Sequence, residues 1–592
     1  MIHKFHIPVL GLGFSIDTPL KVARYGISSV VSIVDDELVE RMRAYHCRQN
    51  NIAYHPILKH DIDARARRIT AYLNLLNDLV DRQFNALCQQ QFYTDSDLDR
   101  YFLLLPEEHA LKQGYDLLAE FAGQAQRTYF ENLLRKRMVK GAIDVNIMSK
   151  VDKMNYNARS KFTADENTDA LAAFRGFAES DLCSSIILSA GMNQRLFNYI
   201  EGFADFFPAE GLPVRKKLII KVNDYRSAYL QARMLAKKGL WVSEFRIESG
   251  LNCGGHAFAT DGILLGPILE EFMLKRSELQ TELFSIYKDV LLAKGIESPD
   301  MPSQRVSVQG GIGTSCENEF LLKYYKLDAT GWGSPFLLVP ETTNVDGNTL
   351  KHLIEASRDD FYLSNASPLG VLFNNFKQST INQLQKSRIA KGQPGSPCTK
   401  KYLVSNTEFT NEPICTASRQ YQSLKIAQLN AADISDDERH VKIEEVTEKI
   451  CLCEGLCSSA YIKNGMLKQR ENTAVAVCPG PNLAYFSGIF SLEEMTGHIY
   501  GKVNLLSGVD RPNLFVNELR LYINYLLKNI EQFAGDMNEK KVKYFAKFKG
   551  QLLAGINYYK ILAVDIRYPE FGLEKMMHEL MAATNQVLAL EY

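Results

Sequence analysis

The chain lacks the features that would direct it to a membrane, to nucleic acid or to a repeat architecture. Although 46% of its 592 residues are hydrophobic, no apolar run approaches the roughly 18 to 20 residues of a membrane-spanning helix. Its start, MIHKFHIPVLGLGF, has neither the long apolar segment nor the small-residue cleavage site of a secretory signal, so a cytoplasmic location is expected. Charge of one sign is missing too: 68 Lys and Arg against 69 Asp and Glu leave a formal net charge of -1, with no long basic run. Nucleic acid and anionic membranes are therefore not expected as main partners. There is no internal repeat or low-complexity segment. No G-x-G-x-x-G fingerprint opens a helix after a strand, which argues against a dinucleotide-binding fold.

What the chain does have is an alternation of short apolar runs and helix-length stretches. The runs fall at residues 7–13, 28–34, 142–147, 185–190, 218–222, 242–247 and 306–308, and just before Gly331. Buried strands separated by helices predict a parallel α/β sheet, and eight of them predict a closed (β/α)₈ TIM barrel. Residues of about 60–139, rich in Leu, Ala and Arg at helical spacing, interrupt the rhythm and predict a helical insertion. The expected organisation is a barrel over 1–345, a loop-rich cysteine module over 346–485 and a helical C-terminal region over 486–592.

Two glycine turns stand out, SVQGGIGT with Gly310 and Gly311, and TGWGSPF with Gly331, Gly333 and Ser334. Glycine lets a backbone approach an anion closely, N–H groups at a following helix start favour negative charge, and barrels place such phosphate sites after strands 7 and 8. Upstream, ESGLNCGGHAF ends another strand at Glu248 and opens a turn with Gly254, Gly255 and His256. An imidazole at a strand end suits proton transfer near neutrality, and His256 is a candidate general acid or base, the plain alternative being a packed histidine.

In order, the strand ending in Gly11 and Gly13, DVNIM with Asn146, IIKVN with Lys221, SGLNCGGHAF, SVQGGIGT and TGWGSPFLLVPE resemble the nitronate monooxygenase and FMN-dependent enoyl reductase class of flavin barrels, including its polyunsaturated fatty acid and polyketide branch. The resemblance covers about residues 1–345 and implies FMN at the C-terminal face of the barrel. It implies that Gly310, Gly311, Gly331, Gly333 and Ser334 cradle the phosphate and that Asn146 and Lys221 approach the ring or ribityl chain. The turns at Gly11, Gly13, Gly254 and Gly255 belong to the same cofactor-binding set. Lys221 is otherwise a barrel-mouth lysine paired with a carboxylate, and Glu248 is a ribityl or substrate partner or a structural ion pair. Asn252 and Cys253 depart from the class, as do the helical insertion and the cysteine-rich region, and these differences bear on the substrate more than on the cofactor.

Six of the 11 cysteines, Cys398, Cys415, Cys451, Cys453, Cys457 and Cys478, fall within about 80 residues. In a cytosolic chain such a cluster points to metal or redox chemistry rather than disulfides. Soft thiolates suit an iron–sulfur cluster of the 4Fe-4S type or zinc, the remaining alternative being free thiols, and six candidates exceed the four positions such a centre needs.

These readings combine into an FMN-dependent oxidoreductase with an iron–sulfur cluster, transferring hydride between flavin N5 and an activated C=C or carbon-acid substrate such as an acyl thioester. The partners expected are a small or carrier-bound acyl substrate and an electron donor, NAD(P)H or a protein; a homo-oligomer is compatible. Two other readings stay open. One is a barrel of the inosine monophosphate dehydrogenase type, in which the phosphate belongs to the substrate and Cys253 or Cys316 is the nucleophile. The other is a non-catalytic electron-transfer or scaffold subunit.

Overall fold

The computed structural model describes residues 2–121, 123–148, 152–154, 166–189, 191–209, 214–297, 300–564 and 573–592. Eight strands form the frame: β1 (Phe5–Ile7), β2 (Ser28–Ser32), β3 (Ile143–Ile147), β4 (Ser185–Leu188), β5 (Lys217–Val222), β6 (Val242–Glu248), β7 (Arg305–Gln309) and β8 (Ala329–Gly331). They close in sequence order into a barrel, every neighbour parallel, with β1 completing the ring against β8. Each expected apolar run supplies one strand; Ala190, at the end of the fourth run, lies outside the described residues. The first strand lies two residues earlier than its run, because Leu10 and Gly11 already turn into the barrel-mouth loop.

Alternation along a strand sends every second side chain into the barrel. Val30, Ile187 and Ile219 form an apolar layer. At the same side of β6, Arg246 lies 2.8 Å from Glu244 and 3.5 Å from Asp144, and Ser307 Oγ donates to Glu244 at 2.6 Å. A buried guanidinium is retained there because carboxylates face it. Burial raises the Glu244 carboxyl, yet Arg246, Arg305 and the Ser307 hydroxyl outweigh it and hold the group at about 2.

The helical insertion between β2 and β3 is present, with helices Ala64–Cys88, Asp97–Leu103, Ala110–Leu117 and Gln124–Arg137. In the first of these, Ile69, Tyr72, Leu73, Leu76 and Val80 recur at helical spacing and are buried. That face meets helix Asp169–Ala178, where a Cβ on Gly176 would sit 2.7 Å from the Ala66 carbonyl oxygen. Glycine is needed for the approach.

Residues 346–485 carry an antiparallel pair, Phe361–Ser364 with Phe373–Phe376, and helices Gly347–Ile354, Thr380–Ala390, Arg419–Asn430, Asp436–Thr447 and Leu452–Lys463 among their loops. Three helices, Leu514–Phe533, Glu539–Ala563 and Leu573–Leu588, complete the chain. Their apolar faces, including Phe515, Leu519, Tyr522 and Tyr559, belong to the same continuous core as the barrel. Among the described residues, no helix is long and apolar enough to cross a membrane.

Candidate functional site

The last inward residue of each of several strands points into one cavity at the C-terminal end of the barrel. Ser32, Asn146, Lys221, Glu248, Gln309 and Gly331 form its floor, with Arg246 one step deeper on β6. Lys221, Glu248 and Gln309 are linked within this floor. Lys221 Nζ lies 3.1 Å from Glu248 Oε1, Gln309 Nε2 donates to the same oxygen at 2.6 Å, and His6 Nε2 lies 3.4 Å from Gln309 Oε1. Burial, aided by Arg246, depresses His6 to about 3, so its imidazole is neutral at physiological pH and serves as a hydrogen-bonding group.

The glycine turns rim this floor. Gly310, Gly311, Gly333 and Ser334 line the cavity, as do Gly11, Gly254, Gly255 and His256. Gly310 and Gly311 have φ of +113° and +79°, the left-handed half of backbone space that glycine tolerates. Close packing is a second demand: a Cβ on Gly311 would lie 2.0 Å from Asn252 Nδ2, and one on Gly310 would lie 2.6 Å from Cys253 Sγ. The β6 loop thus presses on the β7 loop, and Asn252 and Cys253 are the contacts. The helix start after β7 is filled from within the chain, since Gly313 N–H donates to Glu317 Oε2 at 2.8 Å and Glu317 pairs with Arg511 at 2.7 Å. Gly13 lies outside the cavity; its N–H donates to the Leu456 carbonyl at 2.8 Å and anchors the first loop on helix Leu452–Lys463.

His256 comes from a turn held on both sides. Gly255 N–H donates to the Cys478 carbonyl at 3.0 Å, Asn374 N–H to the Gly255 carbonyl at 2.9 Å, and Asn374 Nδ2 to the Cys253 carbonyl at 2.6 Å. Gly254 is required where a Cβ would meet the Cys478 carbonyl at 2.7 Å. The imidazole Nε2 lies 2.7 Å from Ser367 Oγ, and the ring meets Phe373 edge-on at 5.2 Å. The 346–485 region therefore roofs the cavity, and Tyr402, Leu403, Cys453, Leu456 and Cys478 line it.

The cavity suits a ligand with both polar groups and an apolar body. Val9, Leu10, Ile187, Leu337 and Phe373 supply apolar wall. Two buried donors that line it, Asn252 Nδ2 and Ser32 Oγ, have no hydrogen-bond partner among the described residues. A buried donor left without a partner is costly, and a ligand acceptor removes that cost. Sequence reasoning missed His6, Ser32, Arg246 and Gln309. Their common signal is an inward position at or near the end of a barrel strand.

The cysteines separate into groups. Cys415, Cys451 and Cys453 share one small core, Cys398 and Cys478 pack against it, Cys453 and Cys478 also line the cavity, and Cys457 donates its S–H to Asp35 Oδ2 at 3.2 Å. Among the described residues, no three His, Cys, Asp or Glu side chains are already disposed to hold a metal ion. Cys316 is exposed and outside the cavity. Cys253 lines the cavity, but burial pushes its thiol well up and its S–H donates to the Gln309 carbonyl at 3.3 Å, the reverse of an activated nucleophile.

Closure, strand order and a polar mouth define a TIM-barrel protein with a ligand cavity at the usual end. No protein-family model matches the chain, and no curated protein matches it. Solved structures similar to it include FabK from Thermotoga maritima, at 13% identity over 64% of this chain and 82% of that one, with a TM-score of 0.31. The enoyl reductase domain of MlnA from the macrolactin cluster of Bacillus amyloliquefaciens matches at 13% identity over 69% of this chain and 87% of that one, with a TM-score of 0.30. A nitroalkane oxidase from Streptomyces ansochromogenes matches at 10% identity over 85% and 95%, with a TM-score of 0.33.

Proposed function

We propose that the chain is an FMN-dependent oxidoreductase that acts on an activated C=C or a carbon acid, an acyl thioester being the leading substrate class. One observation carries the reading: a polar floor of Asn146, Lys221, Glu248 and Gln309 and the turns after β7 and β8 bound a single cavity that His256 also enters. Bound there, FMN would supply an acceptor and donor of hydride. Lys221 brings positive charge to the floor, which favours an anionic reduced carrier. Asn252 and Ser32 offer donors that lack partners among the described residues, and Gly331, Gly333 and Ser334 also line the cavity. His256, at the roof, is the group that would move a proton to or from a substrate carbon. NAD(P)H or a protein is the proposed electron donor.

Release by heat and chromatography tests the cofactor. FMN in a stoichiometric amount is expected; FAD, or no flavin from folded protein, would overturn the reading. Gly333→Asp is the matched variant, because a Cβ there meets only Pro8 Cγ at 3.2 Å and Leu10 Cδ2 at 3.6 Å. It should leave the protein soluble and remove flavin by placing a carboxylate against the phosphate. Gly311→Asp is unsuitable, since its Cβ would collide with Asn252 whatever the ligand.

A further inference from the structure

A second cavity, of about 1430 Å³, lies beside the barrel-mouth cavity. Its walls come from helix Asp36–Gln49, the approach to the helical insertion at residues 54–68, residues 153–154 after β3, and parts of 384–402 and 454–472. Tyr402 lines both cavities, and its hydroxyl is fixed against Asp36 Oδ1 at 2.9 Å and Asp35 Oδ1 at 3.2 Å. Helix Leu452–Lys463 is shared in the same way, with Leu452, Cys453 and Leu456 on the first cavity and Glu454, Ser458 and Tyr461 on the second.

Most carboxylates of this cleft are neutralised within the chain. Asp36 pairs with Arg65 and Arg68, Asp169 with Arg65, Glu40 with Arg43, Asp63 with Arg175, and Glu37 and Glu471 with Arg41. The other two acids, Asp61 and Glu454, accept hydrogen bonds from the Leu58 N–H and the Thr399 hydroxyl. Lys59, Lys153, Arg388 and Arg470 also line the cleft and are in no ion pair among the described residues. They come from four separate stretches of a chain whose formal net charge is only -1. Cations gathered without counter-ions in a concave site focus positive potential and favour a polyanion. Two further residues of the wall, Arg41 and Asn472, hold buried donors, Nε and Nδ2, with no hydrogen-bond partner among the described residues. A lip of Pro56, Ile57 and Leu58, the last 49% exposed, adds apolar surface. Phosphates joined to a flat base meet both demands, and the space is ample beside the roughly 300 to 1,000 Å³ of a small-molecule pocket.

We propose that this cleft binds the phosphate-bearing end of a nucleotide, the chemistry shared by a phosphorylated pyridine dinucleotide and a coenzyme A thioester, next to the cavity in which the other end reacts. The choice of a nucleotide among polyanions rests on the oxidoreductase reading, whereas the anion site rests on the cleft itself. Arg388 and Arg470 are its main phosphate contacts, because a guanidinium presents paired donors that match phosphate oxygens. With no glycine fingerprint in the chain, side-chain cations take the place of a backbone turn.

Calorimetric titration of the full chain with NADP⁺ and with coenzyme A tests this. Saturable binding of at least one is expected; tighter binding of NADP⁺ assigns the cleft to an electron donor, and tighter binding of coenzyme A to a thioester substrate. Arg388→Ala with Arg470→Ala should weaken that binding about tenfold or more, the scale of a lost hydrogen bond to a charged group. Arg388 is half-buried and Arg470 exposed, and neither side chain has a partner among the described residues, so the double variant should fold. Added salt should weaken binding more in the wild type than in the double variant, since the contacts removed are the screened ones. No saturable binding of either ligand at millimolar concentration, or wild-type affinity in the double variant, would overturn the site. Flavin is measured on the same samples: its absence from wild-type protein counts against the barrel cavity as its site, whereas unchanged nucleotide affinity in a flavin-loaded double variant counts against the cleft alone.

Discussion

His256 is positioned by a hydroxyl on one side and an aromatic ring on the other, with its turn pinned through Gly255 to two separate segments. Such an imidazole is held at one orientation, which is what proton transfer to a bound substrate requires. His256→Ala should therefore keep the flavin and lower turnover by about 10² or more. Flavin absorbance and steady-state rates on one preparation check it, and unchanged turnover would assign His256 to packing on Phe373. Lys221 carries a second expectation. Replacing it with Met leaves Glu248 bonded to Gln309 but removes the cation from the floor, so the flavin reduction potential should become more negative while the fold persists.

The helix Leu514–Phe533 shows how a distant element fixes the loop after β6. Its Glu518 is buried, with Oε1 2.5 Å from Ser249 Oγ and Oε2 accepting the Leu265 N–H at 2.8 Å. Burial pushes this carboxyl up to about 7, even though both donors favour the charged form. Because the folded value lies above the unfolded one, the folded state holds the proton more tightly. The resulting stabilisation is complete below about pH 4.5 and is lost as pH rises through about 7. Its full size is about 3 kcal/mol. Thermal melts from about pH 5 to 8 should show wild-type stability falling relative to Glu518→Gln, which keeps the shape and cannot ionise. Parallel pH profiles for the two proteins would remove Glu518 from this role.

Across the whole molecule the barrel and the C-terminal helices share one core, and the contact between them is close. Tyr559 is fully buried, its hydroxyl accepts the Gly266 N–H at 3.0 Å, and a Cβ on Gly266 would lie 2.3 Å from its ring. Tyr559→Ala should cost about 3 to 5 kcal/mol, the scale for removing a large buried ring. Since the core is continuous, flavin release and loss of helical signal should shift together to lower temperature in this variant. Separate transitions would show that the barrel stands without its C-terminal helices.

The sequence by itself determined the barrel, the helical insertion and the turns that rim the cavity. Strand alternation, helical spacing and glycine at turns are local properties, so Val30, Asn146 and Lys221 declare their strands within a few residues. Gly310 and Gly311 likewise declare a turn, though not that Asn252 and Cys253 are what press on it. Only the tertiary structure decided which polar side chains form the floor, because His6 and Gln309, like Lys221 and Glu248, meet through the barrel between strands apart in sequence. It also separated Cys457, bonded to Asp35, from Cys415, Cys451 and Cys453, which are buried in one small core with Cys398 and Cys478 packed against it. Spacing along the chain carries no information on that division: Cys453 and Cys457 are four residues apart, yet one is buried in the same small core as Cys415 while the other faces a carboxylate 422 residues away.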